Sequence, residues 1–190
     1  MSRSRSLALL ALLIVASPLR AQQYTVDRGT DGPFSAKILG VSFNQGSTLQ
    51  RERVLLNNPS CPVQLTSSNL RFDYRDRGLT YKTQTTIQVQ QPIVAVEIRH
   101  ILYDVFGDHM QNLSNVEAKD FSVGPSTLEG TWSAYRENDI TEHLTTVTYV
   151  AAVRLSDGKT WKFPLEQLIA ALRGLNLEQK IEDDERRPRP

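Results

Sequence analysis

The side chains in this chain with the most chemistry to offer are its three histidines, one cysteine and two tryptophans. His109 lies near Asp104 and Asp108, and His143 lies beside Glu142 and Asp139, so each group has the residue types of a metal or acid–base cluster. Neither has the spacing. An H-E-x-x-H run would put two imidazoles on one helix face, and a calcium loop would place oxygens at regular positions, and the chain holds neither pattern. Both are expected as solvated loop histidines, with no metal and no cofactor. A hydrolase needs a nucleophile, a base and an orienting acid. No G-x-S-x-G elbow occurs, and Cys61, between Ser60 and Pro62, has no histidine near it in sequence. An uncharacterised hydrolase is therefore the weakest functional reading.

His100 differs from the other two. Its parity places it with Val94, Val96 and Leu102 on the buried side of a strand pattern, which implies a core imidazole bonded to backbone or to a tyrosine. A pH-sensing switch is the sharper alternative. Trp132, Tyr135 and Trp161 fall near loop or hairpin ends and could form a sugar-binding platform, although tryptophans in a β-fold more often serve packing. A carbohydrate-binding module is accordingly the second reading.

The element that must position these groups is residues 93–107, IVAVEIRHILYDVFG, a long strand pattern closed by an Asp-containing turn. Val94, Val96, Ile98 and Leu102 share one parity; Glu97 and Arg99 share the other with Ile93, Ala95, Ile101, Tyr103 and Val105. The period of two marks a strand with one buried face, and the mixed second parity marks a central strand partly covered on that side too. Residues 81–91 alternate most cleanly: Tyr81, Thr83, Thr85, Ile87 and Val89 take one face, and Lys82, Gln84, Thr86, Gln88 and Gln90 the other. Residues 144–155 form the second long strand, and Asp157-Gly158 after it favours a two-residue hairpin turn. In that register Arg154 opposes Trp161, close enough for a guanidinium–indole stack; a bulged hairpin would instead shift the register by one and send Trp161 into the core beside Leu155. Earlier in the chain, residues 37–43 and 51–56 flank a turn-rich loop and could pair as a hairpin. Residues 108–121 read as a loose stretch with a strand or its approach from Val116, and residues 133–141 as a polar loop. Pro164, the 3–4 spacing of Leu165, Leu168, Ile169 and Leu172, and Gly174 as a stop predict a single short helix.

Short strands with frequent turns and one late helix predict an all-β fold, an antiparallel immunoglobulin- or fibronectin-III-like β-sandwich with one short C-terminal helix. No glycine-rich phosphate loop is present. The expected divisions are a signal peptide at residues 1–21, a flexible lead-in at 22–35, the sandwich with its helix at 36–174, and a charged disordered tail at 175–190. The first segment has Arg3 and Arg5, an apolar run from Leu7 to Ala16, and Ala21 at the cleavage point. That run is too short for the ~20 residues of a spanning helix, so a retained anchor is disfavoured and no stable membrane span is expected. The chain carries 22 Lys and Arg against 21 Asp and Glu; cleavage would remove Arg3, Arg5 and Arg20 and no acid, leaving a net charge of −2. Without a basic stripe, nucleic acid is not an expected partner. A lone cysteine cannot form an internal disulfide, so Cys61 reads as a small buried or half-buried apolar residue, with an intermolecular bridge or a reactive thiol as alternatives.

His100-Ile101-Leu102-Tyr103-Asp104 followed by Gly107 resembles the F-x-L-Y-D signature of small exported bacterial β-sandwich domains, with His100 where the family has an aromatic. The ending VAAVRLSDGKTW, with Val153, Arg154, Asp157, Gly158 and Trp161, is similar to the closing hairpin of many bacterial domains of unknown function. The resemblance spans residues 93–163 and supplies no catalytic residues. It implies a sandwich module of bacterial envelope or secreted proteins, often without a known activity. Sandwich edge strands and loops are general recognition surfaces, so the leading reading is an exported, extracytoplasmic, non-enzymatic module, periplasmic or secreted, that binds an unidentified protein partner. His100, Arg154, Trp161 and Trp132 are the candidate interaction or structural residues.

Overall fold

A computed structural model describes residues 24–33, 36–38, 41–43, 49–75, 78–134 and 138–180. The expected signal peptide at residues 1–21 and the last ten residues of the expected tail lie outside them. The described chain is all-β, two sheets packed as a sandwich. The large sheet runs β1 (Thr25–Pro33), β4 (Gln50–Asn57), β10 (His143–Leu155), β7 (Ile93–Asp104), β8 (His109–Phe121), with β11 (Thr160–Lys162) on β10 beyond the end of β4. The small sheet is β5 (Val63–Arg75), β6 (Gly78–Val89) and β9 (Gly124–Ala134), and β2 (Ala36–Ile38) pairs with β3 (Val41–Phe43) alone. Two helices are short: α1 (Asn138–Glu142) and α2 (Leu165–Gly174).

β6 behaves as its alternation demands, with Tyr81, Thr83, Thr85, Ile87 and Val89 all buried. β7 is central, paired antiparallel with both β10 and β8, and is buried almost without a break from Val96 to Tyr103. Its two parities serve two cores. Val96 and Ile98 meet Val63, Leu65, Ile87 and Val89 between the sheets. Ile101 and Tyr103 face the other way, where Leu168, Ala171 and Leu172 of α2 cover them together with Val54, Leu56 and Val147. A third cluster, Leu70, Tyr81, Leu102 and Leu113, closes the far end of the sandwich.

Several expectations need correction. Residues 25–33, read as a lead-in, form an edge strand on β4, irregular between Thr30 and Gly32. The segment 37–43 does not form a hairpin with 51–56. β4 lies between β1 and β10, parallel to β10 with Val54 opposite Val147, because Val54, Leu55 and Leu56 supply both cores and leave no side of the strand to solvent. Residues 109–121 are one continuous strand, and residues 138–142 are a helical turn whose Ile140 is buried. Nor does α2 stop on its glycine. Gly174 is its last helical residue, and the left-handed position falls on Asn176, φ +58°. Leu177 N–H donates to Leu172 O at 3.0 Å and Asn176 N–H to Arg173 O at 3.1 Å, the paired bonds of a Schellman stop. Leu175 and Leu177 then pack under the helix, so the ordered chain continues past residue 174.

Candidate interaction site

β7 delivers Tyr103 and Asp104 to the tip of the sandwich, where the chain reverses into β8. Tyr103 is buried beneath α2 and stands edge-on to His109, with ring centres 6.1 Å apart. Asp104 organises the reversal. Its Oδ1 accepts from Phe106 N–H at 2.8 Å and from Asp108 N–H at 2.9 Å, while its own N–H donates to Asp108 O at 3.0 Å. Gly107 takes the left-handed conformation the turn needs, φ +86°, and a side chain there would press on Asn176 O. The segment after α2 clamps the turn from outside: Glu178 N–H donates to Gly107 O at 2.9 Å, and Glu178 Oε2 accepts from His109 N–H at 2.8 Å.

Held between these anchors, Phe106 is 85% exposed, far more than any other large apolar side chain among the described residues. Water contact across an aromatic ring is unfavourable by about 25 cal/mol per Å², and the turn is braced on both sides, so the ring is presented on a rigid mount. The sequence reading recognised the turn and missed its phenylalanine. The only available signal was a single Phe between two turn residues. Replacing Asp104 with Ala should remove the acceptor of two backbone donors and cost about 1–2 kcal/mol in thermal or urea unfolding. Faster hydrogen exchange at Phe106 and Asp108 should accompany it; unchanged exchange there would show that the carboxylate does not hold the turn.

Of the residues singled out from sequence, His100 and Trp132 are brought together. His100 is buried in the sandwich, its Nδ1 2.9 Å from Thr148 Oγ1, and its ring meets Trp132 edge-on at 5.9 Å. Thr148 Oγ1 donates to Ser68 Oγ at 3.3 Å, and Ser68 Oγ lies 3.1 Å from Thr85 Oγ1, so a row of hydroxyls crosses the core from sheet to sheet. Burial pushes the imidazole down to about 3. Trp132 folds its ring over Gly130, inside the mouth of the sandwich.

Arg154 and Trp161 are not brought together. Arg154 opposes Thr160, and Trp161 opposes Val153. Leu155 N–H donates to Lys159 O at 2.8 Å and Gly158 N–H to Leu155 O at 3.0 Å, with Gly158 left-handed at φ +87°, so the loop has three residues rather than two. A type I turn closed by a left-handed glycine uses the same Asp-Gly dipeptide and moves every later pairing by one residue. Trp161 consequently packs on the core beside Leu155 and donates Nε1–H to Ser60 Oγ at 3.1 Å, while Arg154 stays exposed.

The solvated reading of His143 is also overturned. His143 starts β10 fully enclosed, its Nε2 2.8 Å from Thr146 Oγ1 and its ring edge-on to Phe72 at 5.7 Å. Burial and then the nearby Arg51 charge push it down to about 3. Arg51 itself donates to Ile140 O at 2.9 Å and lies 4.6 Å above the Phe72 ring. His109 is half-buried at the start of β8, with Nε2 3.0 Å from Asn112 Oδ1. Cys61 is buried with its thiol pushed up to about 12 by burial, which removes the thiolate that reactivity requires. Among the described residues no three of His, Cys, Asp and Glu lie close enough to share a metal ion, and no helix is long and apolar enough to cross a membrane.

No protein-family model and no curated protein matches the chain. A solved structure of a hypothetical protein from Peptoclostridium difficile 630 overlays on it with a TM-score of 0.45 at 10% identity, over 60% of this chain and 93% of that one.

Proposed function

We propose that this protein is a non-enzymatic binding module that grips a protein partner by inserting Phe106 into an apolar pocket. The observation that carries the reading is the 85% exposure of Phe106 on a turn fixed by Asp104 and Glu178. Binding energy at protein interfaces concentrates in a few well-placed anchors, often aromatic, and a rigid mount lowers the entropy lost on docking. Tyr103 fastens the end of β7 into the core, and Asp104 shapes the turn. Export through residues 1–21 would place the module outside the cytoplasm, in the envelope or beyond it.

Geometry weighs against the carbohydrate reading. A sugar platform needs a flat aromatic face turned to solvent, whereas Trp132 is turned onto His100 and Trp161 is hydrogen-bonded to Ser60 against the core. Tyr135 lies outside the described residues.

A photo-reactive amino acid at position 106 should cross-link one protein in the native envelope or secreted fraction, while the same probe at the exposed Lys159 should not. With that partner purified, Phe106→Ser is expected to weaken binding about thirtyfold, the effect of losing a hot spot worth roughly 2 kcal/mol, and to leave the melting temperature unchanged. Binding equal to the unmodified protein would remove Phe106 as the anchor.

A further inference from the structure

β8 is the last strand of the large sheet, and among the described residues no strand pairs with its outer edge. Near its end the strand reads Asn115-Val116-Glu117-Ala118-Lys119-Asp120-Phe121. Val116, Ala118 and Asp120 share the parity of the outer face; Glu117 and Lys119 share that of Phe121, which enters the core. Two apolar side chains stand in solvent beside this stretch, Val116 at 57% and Val123 at 60% exposure. We propose that this edge pairs antiparallel with the same edge of a second copy, about a two-fold axis at Ala118, to form one continuous sheet across a homodimer.

The order of charges selects this partner and this register. Opposed residues in a sheet must point to the same face, so only registers centred on a residue, shifted in steps of one, join two copies of β8 with their cores on the same side. Centring on Glu117 sets glutamate against glutamate, and centring on Lys119 sets lysine against lysine. Centring on Val116 opposes Glu117 with asparagine and gains no ion pair. Centring on Ala118 opposes Glu117 with the partner's Lys119 and Lys119 with the partner's Glu117. Within one copy Lys119 Nζ already lies 3.0 Å from Glu117 Oε1, so the dimer would hold four charges alternating in sign around the axis. Charges on an edge strand ordinarily discourage strand addition. Here their sequence is complementary to itself.

On the outer face the same axis sets Val116 directly opposite the partner's Asp120. Val116 becomes a diagonal neighbour of the partner's Ala118, a distance that side chains bridge within a sheet. A furrow of about 400 Å³ floored by Ala95, Ala152 and Val116 runs up to this edge, and it would continue into its symmetry mate. The paired length, residues 115–121, takes in the irregular pairing of β8 with β7 between Ala118 and Phe121 and is limited by the turn at 122–123 into β9. So short a contact falls below the ~1,200 Å² at which standard interfaces begin, and the dimer belongs to the class that forms at micromolar to millimolar concentration.

Sedimentation equilibrium of the purified protein over that concentration range reads the proposal directly. A monomer–dimer equilibrium is expected. Glu117→Lys should raise the dissociation constant at least about tenfold, equivalent to about 1.4 kcal/mol, and adding Lys119→Glu to it should restore the original value. Both side chains reach solvent, and circular dichroism of the variants is the check that they fold. A monomer at every concentration, a dimer indifferent to Glu117→Lys, or a double variant that fails to recover would each overturn the proposal. Phe106→Ser should leave the equilibrium untouched, which separates this edge from the tip.

Discussion

Acidification from pH 7 to pH 4.5 is expected to cost this fold about 5 kcal/mol, which brings a domain to its unfolding midpoint only at the low end of the ordinary range of about 5–15 kcal/mol. The loss comes from two imidazoles. His100 and His143 are both enclosed and both pushed down to about 3, by burial in each case, with Arg51 adding to the effect at His143. Above pH 6.5 they are neutral in the folded and unfolded chain alike and contribute no pH dependence. Between 6.5 and 3 the unfolded chain binds two protons that the folded chain refuses, so stability falls by about 1.4 kcal/mol per pH unit for each histidine. Asp31 works the other way, since burial raises its carboxyl and the folded state holds that proton at higher pH than the unfolded one. It offsets part of the loss. Urea unfolding at pH 7, 5.5 and 4.5 measures the slope. His100→Phe, which keeps the edge-on contact with Trp132 available and removes the titrating group, should hold its stability at pH 7 and halve the slope. A slope unchanged in that variant would place the acid sensitivity elsewhere.

The second large effect is expected at Gly130. The ring of Trp132 lies over this glycine, and a Cβ added there would overlap three of its carbon atoms. Indole is rigid and the overlap involves the ring itself, so no small rotation relieves it. Gly130→Ala should expel the ring from the mouth of the sandwich and break its contact with His100, at a cost of about 2–3 kcal/mol. Red-shifted tryptophan emission should report the ring's entry into water. Combining Gly130→Ala with Trp132→Leu tests the cause: a smaller side chain at 132 makes room, so the double variant should be less destabilised than the sum of the two changes. Simple additivity would mean that the glycine is needed for its backbone and not for the space above it.

The parts of this fold that were legible in sequence are those where one physical rule acts alone. β6 has one buried face and one wet face, and its alternation of Tyr, Thr, Ile and Val with Lys, Gln and Thr maps directly onto burial. β7 showed two apolar parities because α2 covers the face opposite the sandwich core. β1 left no such trace. It is an edge strand held by backbone bonds to β4, and Val26 and Asp27 are as exposed as a loop would be. The hairpin at Asp157-Gly158 was ambiguous for a different reason, because two- and three-residue loops both place a left-handed glycine after aspartate, and only the flanking register tells them apart. His143 misled through its polar sequence neighbours. Its actual neighbours, Phe72 and Arg51, arrive from β5 and β4, about seventy and ninety residues away in the chain. Phe106 escaped notice because one exposed aromatic creates no period.

Glu178 is bonded to the turn at both Gly107 and His109, and through the Schellman stop it is continuous with α2. The two ends of the chain's business are thus thermodynamically linked. A partner that grips the Phe106 turn and favours its clamped form must favour the docked C-terminal segment by the same free energy, because coupling between two sites is reciprocal. Whatever displaces or holds Glu178 would be felt at the tip, and occupancy of the tip would be felt there in turn.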